Sequence, residues 1–162
     1  MRDCGTRSEE EEGGPPIHDI TTDTNDPPLF VDILPLRAGA RNSAVYRGSR
    51  VAALQHAAYP DIAPVDLVIA PAAAFAKALA TANAMGWALV ATDSQAGRIE
   101  ATATTRVFRF RDDVVIRIRP RDGGSRLDIR SVSRIGGSDL GKNASRIREF
   151  LVRFRESPLH ER

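Results

Sequence analysis

Residues 97–134 alternate apolar and polar side chains with a period of two, and no other stretch restricts the fold of this chain as strongly. Ile99, Ala101 and Ala103 alternate with Arg98, Glu100, Thr102 and Thr104, the spacing that sends successive side chains to opposite faces of a strand. Val114, Ile116 and Ile118 alternate with Val115, Arg117 and Arg119. After the turn formers at 120–124, Leu127 and Ile129 alternate with Asp128 and Arg130. The pattern predicts antiparallel strands joined as hairpins and apolar on one face. Phe108 and Phe110 sit at even numbers whereas Ile99, Ala101 and Ala103 sit at odd ones, so a β-bulge within 104–107 is expected to bring both rings onto the apolar face. On this assignment Ile118 is a core residue and Val115 faces outward.

A sheet with one apolar face needs a cover, and two amphipathic helices are available. Pro71 suits a first helical turn, and Phe75, Leu79, Ala82 and Met85 follow at three-and-four spacing until Gly86. Ser138 and Asp139 offer an N-cap ahead of the stripe Ile147, Phe150, Leu151 and Phe154. Short strands are expected at 65–70 and 87–92. The predicted fold is α+β and helix-grip-like, β-α-β4-α, with two helices packed on one face of a curved antiparallel sheet. Its topology is similar to that of the TATA-binding-protein fold and of the START and Bet v 1 ligand-binding folds. The proline-rich stretch 15–64 has no sustained period and is expected to form an irregular wrap, apart from a short helix over 49–59 that Pro60 ends. Residues 1–14, with the acidic run 9–12, are expected to be a disordered leader, 15–155 one domain and 156–162 a disordered tail.

The formal charge of +2 conceals a split along the chain. Residues 1–97 carry seven basic against twelve acidic side chains, and 98–155 carry fifteen against seven. Nearly all the basic residues are arginine, the lysines being Lys77 and Lys142, and outward arginines on a sheet read first as a solvated face. Cys4 is the single cysteine, which excludes an intramolecular disulfide and a thiolate metal site. No apolar run approaches the ~20 residues of a membrane span, so the chain reads as soluble as written. A phosphate loop, a dinucleotide fingerprint and a Gly-x-Ser-x-Gly elbow are all absent. Asp112 and Asp113 read as turn residues at a hairpin tip, and neither His56 nor His160 has a partner visible in the sequence.

Two strings stand outside the core periodicity. His18, Asp19, Thr21, Thr22 and Asp23, with Asp26 beyond, gather an imidazole and three carboxylates. Such ligands suit a hard cation, but the spacing lacks the glycine and odd-position acids of a calcium loop, so hydrogen bonding and turn capping are favoured. Ser138, Asp139 and Asn143, with Arg134, Lys142 and Arg146, mark a helix start where backbone N–H groups and arginines could receive an anion. Against this, Asp139 would itself occupy that position as a cap. The two strings are expected to meet, with His18 near Asp139 and with Asp19 or Asp23 favouring the positive helix end.

The strings PPIHDITTD (15–23), YPDIAP (59–64), GRIEATATT (97–105), DDVVIRIR (112–119) and SVSRIGGSDLGKNASRI (131–147) together resemble the domain of unknown function (DUF) family 1499, from Pro15 to about Phe154. The resemblance implies an architecture and a motif set without an assigned activity. It also implies a bacterial envelope setting, because similar proteins often carry the domain behind hydrophobic N-terminal segments or a lipoprotein signal. No such segment precedes the domain here, and the expectation is a soluble variant or a start placed inside a longer reading frame.

Three functions are compatible with these residues. The first is a non-catalytic module that binds a lipid-like or amphipathic molecule, or an envelope protein, in the groove between sheet and last helix, with His18, Asp19, Thr21, Thr22, Asp23, Arg134, Ser138, Asp139, Asn143 and Arg146 as candidate binding residues. The second is an enzyme using His18, Asp19 and Asp23 with Asp139, Asn143 and Arg146. The third is a polyanion-binding domain using Arg98, Arg117, Arg119 and Arg130, which lacks interleaved aromatic residues as stacking platforms and leaves nucleic acid poorly supported. No catalytic residue, metal or cofactor is expected.

Overall fold

The computed structural model describes residues 15–158; the leader with Cys4, and the end of the expected tail with His160, lie outside them. Strand β6 (Gly124–Ser133) is the spine of a six-stranded open antiparallel sheet. It pairs along its whole length with β5 (Arg111–Arg121) through the two-residue connection Asp122-Gly123, where Gly123 adopts the left-handed φ of 77° that this tight turn requires. Its other edge is covered end to end by two short strands, β1 (Asp19–Thr21) and β2 (Val65–Leu67). A side chain at Gly124 would collide with the Leu67 carbonyl, so glycine there lets β2 lie against the start of β6. Beyond β5 lie β4 (Arg98–Thr104) and the edge strand β3 (Ala88–Asp93), whose register with β4 shifts between Leu89 and Ala91.

The register puts Ile99 beside Ile116 and Ile116 beside Ile129, so the odd residues of β4 and β6 and the even residues of β5 share one face. That face packs against α2 (Pro71–Ala84) through Ala74, Phe75, Ala78 and Ala82, and against α3 (Lys142–Glu156) through Ile147, Phe150, Leu151 and Phe154. Pro71 begins α2, as its spacing predicts. Helix α1 (Ser49–Ala58) forms at the expected place, and its buried Gln55 both accepts from the Thr21 N–H at 3.0 Å and donates to the Thr21 carbonyl at 2.7 Å. Strand β1, by contrast, has no sequence period, because three residues buried on both sides show no alternation. Among the described residues no helix is long and apolar enough to cross a membrane.

Two expectations about the sheet faces fail. Phe108 and Phe110 are 71% and 43% exposed rather than core. No bulge carries a continuous strand through 104–107. The chain reverses in the loop 105–110, closed by the Thr105 N–H on the Phe110 carbonyl and the Phe110 N–H on Thr105 Oγ1, each at 2.9 Å. The parity change is that of a hairpin, which frees both rings from either face. Val115, expected outside, is only 1% exposed. It forms a second core with Phe30, Ile33 and Val132, because residues 28–37 cross the outer face. There the N–H groups of Val31, Asp32 and Ile33 all donate to the buried Glu100 carboxylate, at 2.8, 3.2 and 2.8 Å.

Both sides of the sheet are therefore load carriers for stability. Ile118→Ala is expected to cost about 2 to 4 kcal/mol in urea unfolding, and Val115→Ala about 1.5 to 3 kcal/mol rather than a negligible amount. A Val115 loss under about 0.5 kcal/mol, typical of surface sites, would mean that the outer cover does not seat in solution.

Candidate functional site

The arginines of the outer sheet face are not a solvated row. Arg130, fully buried, donates Nε and Nη2 to the two carboxylate oxygens of Asp19 at 2.9 and 2.8 Å. Its remaining donors reach the carbonyls of Pro28 and Ala44, and its guanidinium lies 5.1 and 5.6 Å from the Phe30 and Tyr46 ring centroids. Burial, helped by the Asp19 charge and opposed by Arg130, pushes the Tyr46 phenol up to about 12. Arg117 and Arg119 converge on Asp23, Asp26 and Asp128, and Thr22 Oγ1 donates to the Ile129 carbonyl and accepts from the Ile129 N–H. Arg98 meets Asp32, Asp93 and Glu100. The expectation of a solvated row fails because the N-terminal fifth of the domain brings Asp19, Asp23, Asp26 and Asp32 onto this face, where they join Asp93, Glu100 and Asp128 of the sheet as partners. Asp19, Thr21, Thr22 and Asp23 are thereby engaged in holding that segment to the sheet.

Asp112 and Asp113 are not turn residues either. They are neighbours in β5, so their side chains leave opposite faces. Asp113 is clamped on the outer face by Arg37 and by Arg134, whose Nε and Nη2 lie 2.9 and 2.8 Å from its oxygens. Asp112 faces inward and accepts from Arg146 Nη2 at 2.6 Å.

That inward pair belongs to a cluster at the start of α3. The N-cap of α3 is Gly141 rather than the expected Ser138 or Asp139, and Asp139, two residues ahead of it, accepts from the N–H groups of Gly141 and Asn143 at 2.9 and 2.7 Å. Asn143 donates to the His18 carbonyl at 3.1 Å and to Ser133 Oγ at 2.9 Å, and accepts from Ser131 Oγ and Arg146. Ser138 Oγ donates to the Pro15 carbonyl at 3.1 Å, and the Asp139 N–H to the Ile17 carbonyl at 3.3 Å. The two sequence strings therefore meet at His18. Asp19 and Asp23 do not reach the helix end, because Ile20 faces the core and alternation turns Asp19 outward to Arg130. His18 Nδ1 is buried without a partner among the described residues, beside a small hollow lined by Val45, Arg47 and Val51.

Next to this cluster the surface opens. A hollow of about 150 Å³ lies between the 105–110 loop and the approach to α3, walled by Phe110, Ile135 and Leu140 above Asp112, Ser133 and Asp139. It adjoins a wider cleft of about 690 Å³ between the end of α2 and α3, bordered by Trp87, Arg106, Arg146, Glu149 and Arg153. Thr105, Leu140 and Lys142 line both. Burial raises the Asp139 carboxyl, the Asn143 and Gly141 N–H groups lower it, and the Asp112 charge raises it again. Leu140 holds a left-handed φ of 52°, uncommon for a bulky residue.

Of the candidate residues, Ser138, Asp139 and Arg146 line this opening, Asn143 is fully buried and bonded to Arg146, and Arg134 stands on the opposite face with Asp113. Sequence reasoning misses Thr105, Arg106, Phe110, Asp112 and Ile135, because Phe110 reads as core and Asp112 as a turn residue. The signal that could have found them is the run Arg106-Val-Phe-Arg-Phe-Arg111, where three arginines break the apolar alternation.

No curated protein matches the chain. A family model described as "Protein of unknown function (DUF1499)" matches residues 19–154. The match runs from the first residue of β1 into the last turn of α3 and takes in both the outer arginine clamps and the α3 cluster, so the chain belongs to the DUF1499 family.

Proposed function

We propose that this protein is a non-catalytic binding module for an amphipathic anion, taken at the end of the sheet where α3 begins. The observation that carries the reading is the junction at Lys142 of an apolar hollow with a cleft where Lys142 and Arg106 are in no ion pair among the described residues, Arg146 and Arg153 there being paired with Asp112 and Glu149. An apolar tail fits against Phe110, Ile135 and Leu140, and an anionic head beside Lys142 meets positive charge. We read α2, α3 and the sheet as a helix grip whose proline-rich N-terminal wrap braces the far side. The middle of α3 is filled by the chain itself, with Phe150 stacked 5.5 Å from Trp87 and 6.1 Å from Phe154. The ligand therefore belongs at the mouth of the grip.

The enzyme reading has less support, because Asp19 and Asp23 are held by arginines and stand apart from Asp139. Polyanion binding through the outer face has less support for the same reason: Arg98, Arg117, Arg119 and Arg130 are occupied. A lipid-like ligand also fits the envelope setting that the family resemblance implies.

Trp87 is the single tryptophan and lines the cleft, so its fluorescence reports occupancy directly. Titration with monomeric dodecyl phosphate is expected to give a saturable change, and Lys142→Glu is expected to weaken binding about tenfold without altering stability. No saturation up to about 1 mM, the limit of about 4 kcal/mol of binding, would reject the proposal, as would an unchanged affinity in Lys142→Glu.

A further inference from the structure

The six consecutive residues 106–111 are all exposed, although half of them are large apolar side chains. Val107 is 81% exposed, and Phe108 stacks on Phe110 with centroids 5.6 Å apart. Phe110 and Ile135 line the hollow with Leu140, itself 67% exposed, and also a shallow depression with Leu36, so the apolar surface is continuous. Large apolar side chains are exposed elsewhere too, Val68 at 94% and Val45 at 75% among them, but it is the contiguity of Val107, Phe108, Phe110, Ile135 and Leu140 that marks a docking surface. Its rim is basic. Arg106, Arg109, Arg111 and Lys142 take part in none of the ion pairs among the described residues, whereas Arg37, Arg98, Arg117, Arg119, Arg130, Arg134 and Arg146 are all neutralised.

We propose that the loop 105–110, with Leu140 beside it, seats the protein on an anionic lipid surface, the apolar tips entering the headgroup region and the arginines pairing with phosphate. Insertion of apolar side chains and attraction of basic ones are the two signals that peripheral membrane binding combines. Single-stranded nucleic acid fits less well. Val107, the most exposed apolar member, and Leu140 have no ring on which a base could stack, and each phenylalanine ring already covers one face of the other. A second copy docked symmetrically would bring the unpaired arginines of one loop against those of its mate. This surface adjoins the proposed ligand site and shares Phe110, Ile135, Leu140 and Lys142 with it, but Val107, Phe108, Arg109 and Arg111 line neither the hollow nor the cleft, so substitutions there test the lipid surface alone.

Cosedimentation of the full chain with vesicles tests it. Binding is expected with about 30 mol% phosphatidylglycerol in phosphatidylcholine and not with phosphatidylcholine alone, and salt above about 0.5 M should weaken it. Each basic residue near such a surface is worth about fivefold, so Arg109→Glu/Arg111→Glu should lower partitioning by more than about 25-fold. Val107→Ser/Phe108→Ser should lower it more than about tenfold. Both variants should retain the wild-type unfolding midpoint and dodecyl phosphate affinity, so that loss of vesicle binding and loss of cleft binding are read separately. Equal binding to neutral vesicles, absence of binding to anionic ones, or wild-type partitioning by either variant overturns the proposal. So does retention of an oligothymidine that is lost in Val107→Ser/Phe108→Ser, which would assign the loop to nucleic acid.

Discussion

Arg130→Ala is expected to destabilise the protein by about 3 to 5 kcal/mol in denaturant unfolding, the cost of breaking a buried ion pair from one side. The guanidinium has no exposed surface and spends its donors on both oxygens of Asp19 and on the carbonyls of Pro28 and Ala44. Truncation leaves a buried carboxylate without a counter-charge, two carbonyls without donors, and the Phe30 and Tyr46 rings facing a cavity. Because Asp19 lies in β1 and Pro28 and Ala44 in the segment beyond it, the loss should loosen the whole outer cover. Hydrogen exchange should then rise first at the Val31, Asp32 and Ile33 amides that Glu100 holds. Arg130→Lys should recover only part of the loss, since an ammonium cannot reproduce the planar two-oxygen fork. The double variant Asp19→Leu/Arg130→Met, which removes both charges, should be milder than Arg130→Ala alone. A loss under about 1 kcal/mol for Arg130→Ala would show that the pair is solvated and the cover unseated.

Phe150→Ala should cost a similar amount, about 3 to 5 kcal/mol, for a different reason. Phe150 is fully buried on the inward stripe of α3 and stacks between Trp87 and Phe154. Its removal leaves a cavity where the helix meets the sheet, and close-packed neighbours relax only partly into such a space. Trp87 provides a local report, because loss of the stacked ring should change its emission in the folded state. Val152→Ala, on the exposed side of the same helix at 48% exposure, should change stability by less than about 0.5 kcal/mol. Comparable losses at positions 150 and 152 would mean that α3 does not pack in the orientation described.

The inward stripe of α3 was legible in the sequence, as were α2 behind Pro71, a turn within 120–124 and the inward sets Ile99, Ala101, Ala103 and Ile116, Ile118, Leu127, Ile129. So was the meeting of His18 with the start of α3, because a proline-rich backbone needs donors for its carbonyls, and Asn143, Ser138 and Asp139 supply them. The candidate site was only half legible. Asp139 and Asn143 announced themselves by their place at the start of a helix, whereas Phe110 carried a strand pattern that the folded loop overrode and Asp112 read as a turn residue although it lies in β5.

Alternation and helical spacing are local, and they determined by themselves which residues of each strand or helix share a face. They could not say what covers the second face. Arginines alternating along a strand look the same whether their partner is water or another segment, and the partners here lie 76 residues away for Arg37 and Asp113 and 111 for Arg130 and Asp19. Only the tertiary structure decided that the charged face is an interior and that the apolar loop 105–110 is a surface. Burial depends on what long-range packing leaves uncovered, and a period of two carries no information about that.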